Sequence, residues 1–218
     1  MTATRVHSVN MLSSDILELV LERNGCEFAP GDCVAISHAD GTSRPYSVSS
    51  SVDDETLRFV IRRMPGGAVS EWIAARRAGD EVEISPPFGW FRPGRSGDSN
   101  DPSVFVATGT GIAPFLSALR SDHDIAPQYC LYGVRKRTDA IEMDYLQRRC
   151  PVRLCISRES SPPHHQGRVT DLLKGIPLSP KTHYYLCGLD AMIDEVSAWL
   201  EQRDVHFTHI HREVFFNA

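Results

Sequence analysis

The stretch Phe105-Val106-Ala107-Thr108-Gly109-Thr110-Gly111-Ile112-Ala113-Pro114-Phe115 decides how the second half of this chain of 218 residues folds. Its first residues form an apolar run typical of a buried strand, and the two glycines then permit a tight turn. Pro114 fits the first turn of a helix, where no amide hydrogen is needed. A strand that leads through a glycine-rich turn into a helix is the arrangement that binds a nucleotide at the carboxyl end of a parallel sheet.

Strands and helices alternate from this stretch to the end of the chain. Further predicted strands cover 129–132, 152–156, 184–187 and 210–216, and predicted helices cover 113–120, 143–149, 169–173 and 191–202. In the last helix Met192, Val196 and Trp199 recur at helical spacing. This alternation predicts a parallel, doubly wound α/β domain, which we place at residues 101–218.

A run of turn-forming residues without periodicity, from Arg92 to Pro102, predicts a linker before that domain. The residues before the linker have the pattern of short strands separated by turns, most clearly at 16–21, 33–37 and 57–61. One helix is predicted at 69–77. Short strands with turn signals are typical of an all-β barrel or sandwich, so we predict an N-terminal antiparallel Greek-key β-barrel at residues 1–95.

Composition narrows the class of protein. The formal net charge of −5 offers no basic surface for nucleic acid. No apolar run approaches the roughly 20 residues that a membrane helix requires, and the first residues lack the pattern of a signal peptide. We therefore expect a cytoplasmic protein with no nucleic-acid or membrane partner, and we expect a monomer.

The cysteines number six and are scattered, which favours buried thiols over disulfides or a metal site. Cys150 and Cys155 have the first spacing of a plant-type iron–sulfur motif. The C-x2-C pair that must follow is missing from the sequence. We therefore predict no iron–sulfur cluster built from these residues.

Two motifs in the first domain suit a ligand that carries phosphate. In Arg44-Pro45-Tyr46-Ser47 a guanidinium fork suits phosphate, and the tyrosine ring lies on the same strand face. In Gly66-Gly67-Ala68-Val69-Ser70 the glycines allow close approach of a phosphate to the start of a helix. Each motif alone has an ordinary alternative: Arg44 as a solvated edge residue, Tyr46 as a rim aromatic, and Ser70 as a helix cap.

Two further motifs lie near the end of the chain. Cys187-Gly188-Leu189-Asp190-Ala191-Met192 follows an apolar strand, and its thiol could be purely structural. In Glu213-Val214-Phe215-Phe216 an acid stands between apolar neighbours, which is unusual unless it reaches a site.

These five motifs, in this order and at this spacing, resemble the ferredoxin–NADP⁺ reductase family. The resemblance runs from Val6 to the last residue. Members of this family are flavoenzymes that pass electrons from a reduced nicotinamide through FAD to a one-electron carrier. The resemblance implies that this protein binds FAD and NADP(H) and serves a separate ferredoxin or flavodoxin, because the iron–sulfur domain fused to many relatives has no counterpart here.

The resemblance also implies the role of each residue in the FAD site. Arg44 and the Gly66–Ser70 segment would hold the pyrophosphate, Tyr46 would stack on the flavin, and Ser47 would lie near its reactive N5 atom. The full predicted set is Arg44, Pro45, Tyr46, Ser47, Ile61, Arg62, Gly66, Gly67, Ala68, Val69, Ser70, Thr110, Phe215 and Phe216. Ile61 and Arg62 match positions along the ribityl chain, and Phe215, on the same strand face as Glu213, is the candidate to cover the second side of the flavin.

The NADP(H) site and the catalytic residues follow in the same way. The predicted NADP(H) set is Thr108, Gly109, Thr110, Gly111, Arg135, Ser157, Arg158, Arg168, Cys187, Gly188 and Met192. Similar SRE and GR segments in bacterial relatives supply ligands for the 2′-phosphate that distinguishes NADP⁺ from NAD⁺. The expected catalytic residues are Ser47, Cys187 and Glu213, with Cys187 against the nicotinamide and Glu213 assisting proton delivery. The nicotinamide coenzyme would bind in the cleft between the two domains.

The sequence also fits other functions. Within the same fold, the chain could be the reductase component of an oxygenase system or an NAD(P)H:flavin reductase. A non-enzymatic NADP(H)-sensing module would keep the GTG turn but would not need Arg44, Tyr46 and Ser70. Basic residues Arg62, Arg63, Arg76 and Arg77 predict a docking face for an acidic carrier, unless they are scattered solvated charges. His206, His209 and His211 have the pattern of surface or packing histidines rather than of a metal site.

Overall fold

A computed structural model describes residues 1–96, 101–160 and 162–214 of the chain. The strands are β1 Thr2–Met11, β2 Ile16–Glu22, β3 Cys33–Ser37, β4 Ser43–Ser47, β5 Thr56–Arg62, β6 Glu81–Ile84, β7 Ser103–Thr108, β8 Tyr129–Val134, β9 Val152–Ile156, β10 His165–Gln166, β11 His183–Gly188 and β12 Ile210–Val214. The helices are α1 Ala68–Ala74, α2 Ala113–Ser121, α3 Met143–Arg149, α4 Val169–Leu173 and α5 Asp190–Glu201. Short 3₁₀ turns lie at Gly109–Ile112, Arg137–Asp139 and Phe207–His209.

The chain divides into two compact units. The first contains Met1–Trp90 together with α2, and the second contains the rest of the described chain. Three hydrogen bonds explain why α2 groups with the barrel residues: Ser117 Oγ donates to the Ser50 carbonyl, Arg120 to the Ser49 carbonyl, and the Val52 amide donates to Ser121 Oγ.

The first unit is built on an antiparallel sheet of six strands in the order β4-β3-β6-β1-β2-β5. A bridge between Val48 and Phe59 joins the two edges, which closes the sheet. Leucine, isoleucine and phenylalanine from alternate positions fill its interior, and Leu19, Leu57 and Phe59 are fully buried. Each such side chain contributes about 1.5–3 kcal/mol when it leaves water. The predicted antiparallel Greek-key barrel is confirmed.

Helix α1 is shorter than the sequence predicts. Val69 and Ile73, four residues apart, pack on the barrel core, and the helix ends at Ala74 rather than Arg77. The chain turns there because Gly79 takes a positive φ of 89° and Asp80 accepts a hydrogen bond from the Arg77 amide at 2.9 Å. Backbone bonds of Gly79 and Asp80 to Val6 then return the chain to the barrel.

The second unit is built on a parallel sheet of six strands in the order β10-β9-β8-β7-β11-β12. Met192, Ile193, Val196 and Leu200 of α5 pack on this sheet as one buried stripe. The predicted parallel, doubly wound domain is confirmed. The strand order reverses between β7 and β11, and sheets of this kind bind ligands outside the carboxyl ends of the strands at such a reversal.

Candidate functional site

Solvent exposure decreases along the Arg44–Ser47 motif on strand β4. Arg44 and Pro45 are exposed, Tyr46 is half-buried and Ser47 is buried. Arg44 donates to the Ser43 carbonyl at 2.9 Å and leaves its guanidinium at the surface. The Tyr46 ring packs on the barrel core, and burial raises the pKa of Tyr46 to about 12 although nearby Arg44 lowers it. Tyr46 is therefore a fixed, neutral aromatic surface next to an available cation.

Ser47 is positioned by its contact with Cys33. Its Cα pairs with that of Cys33 across the β3–β4 ladder, and its Oγ lies 3.3 Å from Cys33 Sγ. Cys33 is in turn bridged by two backbone bonds to Phe88. The position of the Ser47 hydroxyl therefore depends on three separate segments of the barrel.

The glycine turn before α1 is closed by Ser70. The Met64 amide donates to Ser70 Oγ at 3.0 Å, and the Gly67 amide donates to the Met64 carbonyl at 2.8 Å. A Cβ on Gly67 would lie 2.8 Å from Ser70 Oγ and 3.0 Å from Met64. The first amides of a helix lack intrahelical partners, and α1 has no side-chain cap. The turn therefore offers backbone N–H groups to an anion, and no side chain fits at Gly67 without disturbing it.

Ile61 and Arg62 at the end of β5 differ in how accessible their side chains are to a ligand. The Ile61 side chain is buried in the barrel core, so a ligand could contact only its backbone. Arg62 is half-buried and lies at the edge of the sheet.

At the reversal of the second sheet, the ends of β7 and β11 interlock through two glycines. A Cβ on Gly111 would lie 2.3 Å from the Cys187 carbonyl oxygen, and one on Gly188 would lie 2.1 Å from Thr108 Oγ1. Gly188 also has a φ of 142°, which side chains rarely adopt. Thr108 Oγ1 accepts a hydrogen bond from the Leu189 amide at 3.1 Å. The structure thus brings together Thr108, Gly111, Cys187 and Gly188, all of which the sequence predicts.

Tyr132 on β8 is a supporting residue that the sequence analysis missed. Its buried hydroxyl lies 3.1 Å from the Gly109 carbonyl and 3.3 Å from the Asp139 carbonyl, and it accepts a bond from the Ile141 amide at 3.4 Å. The hydroxyl therefore links the glycine turn to the loop after β8. A tyrosine in an apolar strand resembles any core aromatic in sequence, so no local signal could have identified it.

The ends of β8 and β9 carry the residues predicted for the 2′-phosphate. The Arg158 amide donates to the Arg135 carbonyl at 2.9 Å, so these two exposed arginines lie on adjacent loops. Exposed Ser157 donates its hydroxyl to the Val134 carbonyl at 3.2 Å. Arg168 precedes α4 and pairs with Glu195 Oε2 at 3.4 Å. Arg137 is engaged elsewhere: its amide donates to Glu159 at 2.6 Å and its guanidinium contacts the His164 ring.

Cys187 and Glu213 are direct neighbours across the sheet. Their Cα atoms pair in the parallel β11–β12 ladder, and Cys187 pairs with Ala107 on its other side. Cys187 is buried and Glu213 is half-buried. Nothing local in the sequence relates residues this far apart, so their pairing is a result of the fold.

The remaining predicted residues are Met192, Thr110, Phe215 and Phe216. Met192 is on α5, and its side chain is buried in the core between that helix and the sheet. Thr110 is half-buried in the 3₁₀ turn. Phe215 and Phe216 lie outside the described residues.

Cysteine and metal chemistry add little to this arrangement. All six cysteines are thiols outside any disulfide, and all but the half-buried Cys26 are buried. Within residues 1–96, 101–160 and 162–214, no three His, Cys, Asp or Glu side chains are arranged to hold a metal ion. In the same ranges, no helix has the length and apolar character needed to cross a membrane.

Comparison with known domain families identifies both halves of the chain. Residues 4–92 match the model of an oxidoreductase FAD-binding domain, and residues 105–198 match that of an oxidoreductase NAD-binding domain. The protein is therefore an oxidoreductase with one FAD-binding and one NAD-binding domain.

Individual relatives define the family. Ferredoxin–NADP reductase B of Sorangium cellulosum is 32% identical over 171 residues, which cover 70% of this chain and 69% of that protein. The electron transfer component of toluate 1,2-dioxygenase from Pseudomonas putida is 28% identical over 225 residues, which cover 96% of this chain and 66% of that protein. The crystal structure of a cytochrome P450 reductase from Amycolatopsis superposes with a TM-score of 0.89 at 26% identity, covering 98% of this chain and 69% of that one. The chain belongs to the ferredoxin–NADP⁺ reductase family, and it spans about two thirds of the length of these relatives.

Proposed function

We propose that this protein takes a hydride from NADPH onto a bound FAD and passes the electrons singly to a separate ferredoxin or flavodoxin. Bound FAD supplies the conversion between two-electron and one-electron chemistry. The observation that carries the proposal is the pairing of Cys187 with Glu213 at the carboxyl ends of β11 and β12, beside the glycine turn of β7. A thiol, an acid and a nucleotide turn at one end of one sheet suit a nicotinamide ring.

The residues of the first domain fit FAD. Arg44 and the backbone amides after Gly66 and Gly67 would neutralise the pyrophosphate, with the Ser70 hydroxyl still able to donate its hydrogen. Tyr46 would support one face of the flavin ring, and Ser47 would lie at its N5 edge. The fit rests on the absence of a side chain at Gly67, because a Cβ there would meet Ser70 Oγ at 2.8 Å and disturb the serine that closes the turn.

The identity of the flavin is tested directly. Releasing the cofactor by heat and separating it chromatographically should yield FAD, because the Gly66–Ser70 turn suits a pyrophosphate. Finding FMN instead would mean that this turn holds something other than a pyrophosphate.

The residues of the second domain fit NADPH. Arg135, Ser157 and Arg158 lie together on adjacent loops and would bind the 2′-phosphate. Arg168 can join them by leaving Glu195, because an exposed ion pair of this kind is worth only about 0–1 kcal/mol. Arg137 is outside this set, and its guanidinium contacts the His164 ring.

The catalytic proposal assigns one task to each residue. Cys187 would pack against the nicotinamide, Glu213 would hold or move a proton beside the flavin, and Ser47 would orient the reacting edge. Cys187→Ala and Glu213→Gln should each slow single-turnover flavin reduction by about tenfold or more. Cys187→Ala removes a contact that orients the nicotinamide, and Glu213→Gln removes a proton-handling group of a kind that contributes on the order of 10²–10⁴. FAD content and circular dichroism should not change. Wild-type rates in both variants would contradict the assignment.

The similarity to the toluate 1,2-dioxygenase electron transfer component favours a second candidate for the acceptor. In this second candidate function, the protein carries out the same hydride transfer but passes the electrons to the ferredoxin of an oxygenase system. Stopped-flow reduction of a panel of ferredoxins and flavodoxins separates the candidates. Fast reduction of an oxygenase ferredoxin alone favours the second, fast reduction of flavodoxin favours the first, and fast release of free reduced flavin contradicts both.

A further inference from the structure

A cluster of three histidines lies in the second unit and has no part in the proposed reaction. It consists of His183 on β11, His209 in the 3₁₀ turn before β12, and His211 on β12; the name histidine cluster refers to these three. His183 Nδ1 lies 3.0 Å from His211 Nε2, and the two rings stack with centroids 5.3 Å apart. The His209 ring lies 4.3 Å from that of His183. His183 is buried.

Other groups meet the cluster from each element packed against it. On β11 the Tyr185 ring stacks on His211 at 4.5 Å, and burial raises the pKa of Tyr185, so that hydroxyl is neutral. Before β7 the Asp101 carboxylate lies 3.8 Å from His183 Nε2. On β12 the nearest charges are Glu213, two residues beyond His211, and Arg212, which pairs with Glu201 at 2.8 Å. From the linker, the Ser96 amide donates to the Tyr185 hydroxyl at 2.9 Å. Asp101 therefore places an acid beside the cluster.

The bond between His183 and His211 depends on the protonation state of the acceptor ring. One imidazole must donate its N–H to a ring nitrogen of the other that carries no proton. Protonation of the accepting nitrogen removes this bond, and protonation of both rings places like charges next to each other in a half-buried site. Burial lowers the pKa of His211 to about 4, with His183 and His209 adding to the effect, and burial also lowers the pKa of His183. Near neutral pH the bond is therefore intact.

This bond lies at an edge of the parallel sheet. In the order of the parallel sheet β12 is an edge strand, paired with β11 alone. Across that ladder Tyr185 pairs with His211 and Cys187 with Glu213, so the histidine cluster and the proposed catalytic pair share the same two strands.

We propose that the His183–His211 pair is a proton-sensitive clasp that keeps β12 paired with β11, which makes His211 a positioning residue for Glu213. The clasp itself is independent of the proposed function, but the consequence for activity rests on it. Protonation at low pH opens the clasp, frays β12 and moves Glu213 away from Cys187.

The direction of the pH effect follows from the lowered pKa values. The pKa of His211 is lower in the paired state than its ordinary value of 6.5. Its contribution to strand pairing is therefore complete above pH 6.5 and is lost as pH falls toward about 4. The clasp should therefore weaken between pH 6.5 and 4.

The test is hydrogen exchange of the FAD-loaded protein between pH 7.5 and 5, corrected for the intrinsic pH dependence of amide exchange. In the wild type, opening of the 210–214 amides should increase about tenfold. In His211→Phe, which keeps a flat ring against Tyr185 but cannot titrate, the increase should stay below about twofold. His211→Gln is a second non-titrating variant in case the first folds poorly. His7→Phe, at an exposed histidine of β1, should behave as the wild type, and the 103–108 amides of β7 should not respond.

Two results would overturn the proposal: no pH-dependent opening at 210–214 in the wild type, or equal opening in both His211 variants. Single-turnover flavin reduction by NADPH then tests the consequence, since its fall at low pH should be weaker in His211→Phe. If Glu213→Gln reduces flavin at the wild-type rate while the 210–214 amides still respond through His211, the clasp stands and the catalytic role proposed for Glu213 is wrong.

Discussion

The two glycine-rich turns of this protein are constrained in different ways. In the barrel, a Cβ at Gly67 would come closest to the Ser70 hydroxyl, which can rotate away, and would lie 3.0 Å from Met64 Cβ and the Met64 carbonyl. In the α/β domain, a Cβ at Gly111 would meet the Cys187 carbonyl and the backbone of Gly188. In the first domain the glycine therefore preserves a local hydrogen bond, whereas in the second domain it preserves the close packing of two strands.

The largest effect expected from this difference is at Gly111. Gly111→Ala places a carbon 2.3 Å from a backbone oxygen, so β7 and β11 must separate. We expect a loss of about 3 kcal/mol or more in the free energy of unfolding, because overpacking against immobile atoms is among the most destabilising changes. Urea unfolding followed by circular dichroism measures it. The control Gly175→Ala, which meets only the flexible end of Arg153 closely, should cost less than about 1 kcal/mol. Equal losses in the two variants would refute the role of Gly111.

The next effect concerns coenzyme choice in the same domain. Arg158→Ala should weaken NADPH binding by about 1.5–3 kcal/mol, the range for hydrogen bonds to charged groups, and leave NADH nearly unchanged. Arg168→Ala should do less because Arg168 is already paired with Glu195. KM for both coenzymes provides the measurement. Equal weakening of NADPH and NADH would show that these arginines do not bind the 2′-phosphate.

Substitution in the glycine turn of the barrel should have a smaller effect on the free energy of unfolding. Gly67→Ala should cost about 1–2 kcal/mol, because its backbone is ordinary and the colliding Ser70 hydroxyl can rotate away at the loss of one hydrogen bond. FAD should dissociate faster, as followed by flavin fluorescence. The double variant Gly67→Ala/Ser70→Ala should be less destabilised than the sum of the single variants if Ser70 is the obstacle. Strict additivity would indicate that Met64 is the obstacle instead.

The smallest effect is expected on the surface of the first domain. Arg76 lies 3.6 Å from Asp80 and 4.7 Å from the Trp72 ring, and Arg63 lies 3.9 Å from Glu71, so part of the predicted basic face is already neutralised. Reduction of an acidic ferredoxin should still slow several-fold as ionic strength rises, because opposite charges speed encounter. Charge reversal at Arg76 and Arg77 should flatten that dependence. A rate that ignores both changes would place the docking face elsewhere.

Much of the fold was predictable because its signals are local. Strands β2, β3, β5 and β7 follow from runs of apolar residues, and α5 from Met192, Val196 and Trp199 at helical spacing. Strands β1, β4 and β6 have weaker patterns, and β10 has only two residues, so they emerge only where a neighbouring strand pairs with them. Ile61 and Met192 are assigned to the cofactor sites by resemblance, and the structure buries both side chains in the domain cores.

The sequence by itself determined the two domains, the glycine turns and the types of side chain that cofactor chemistry requires, because periodicity and glycine act within a few residues. Only the tertiary structure decided that Cys187 pairs with Glu213, that Tyr132 holds the Gly109 turn and that His183 bonds to His211. Each of these contacts joins residues far apart in the chain or on different strands, and strand order and register, which no local pattern records, bring them together.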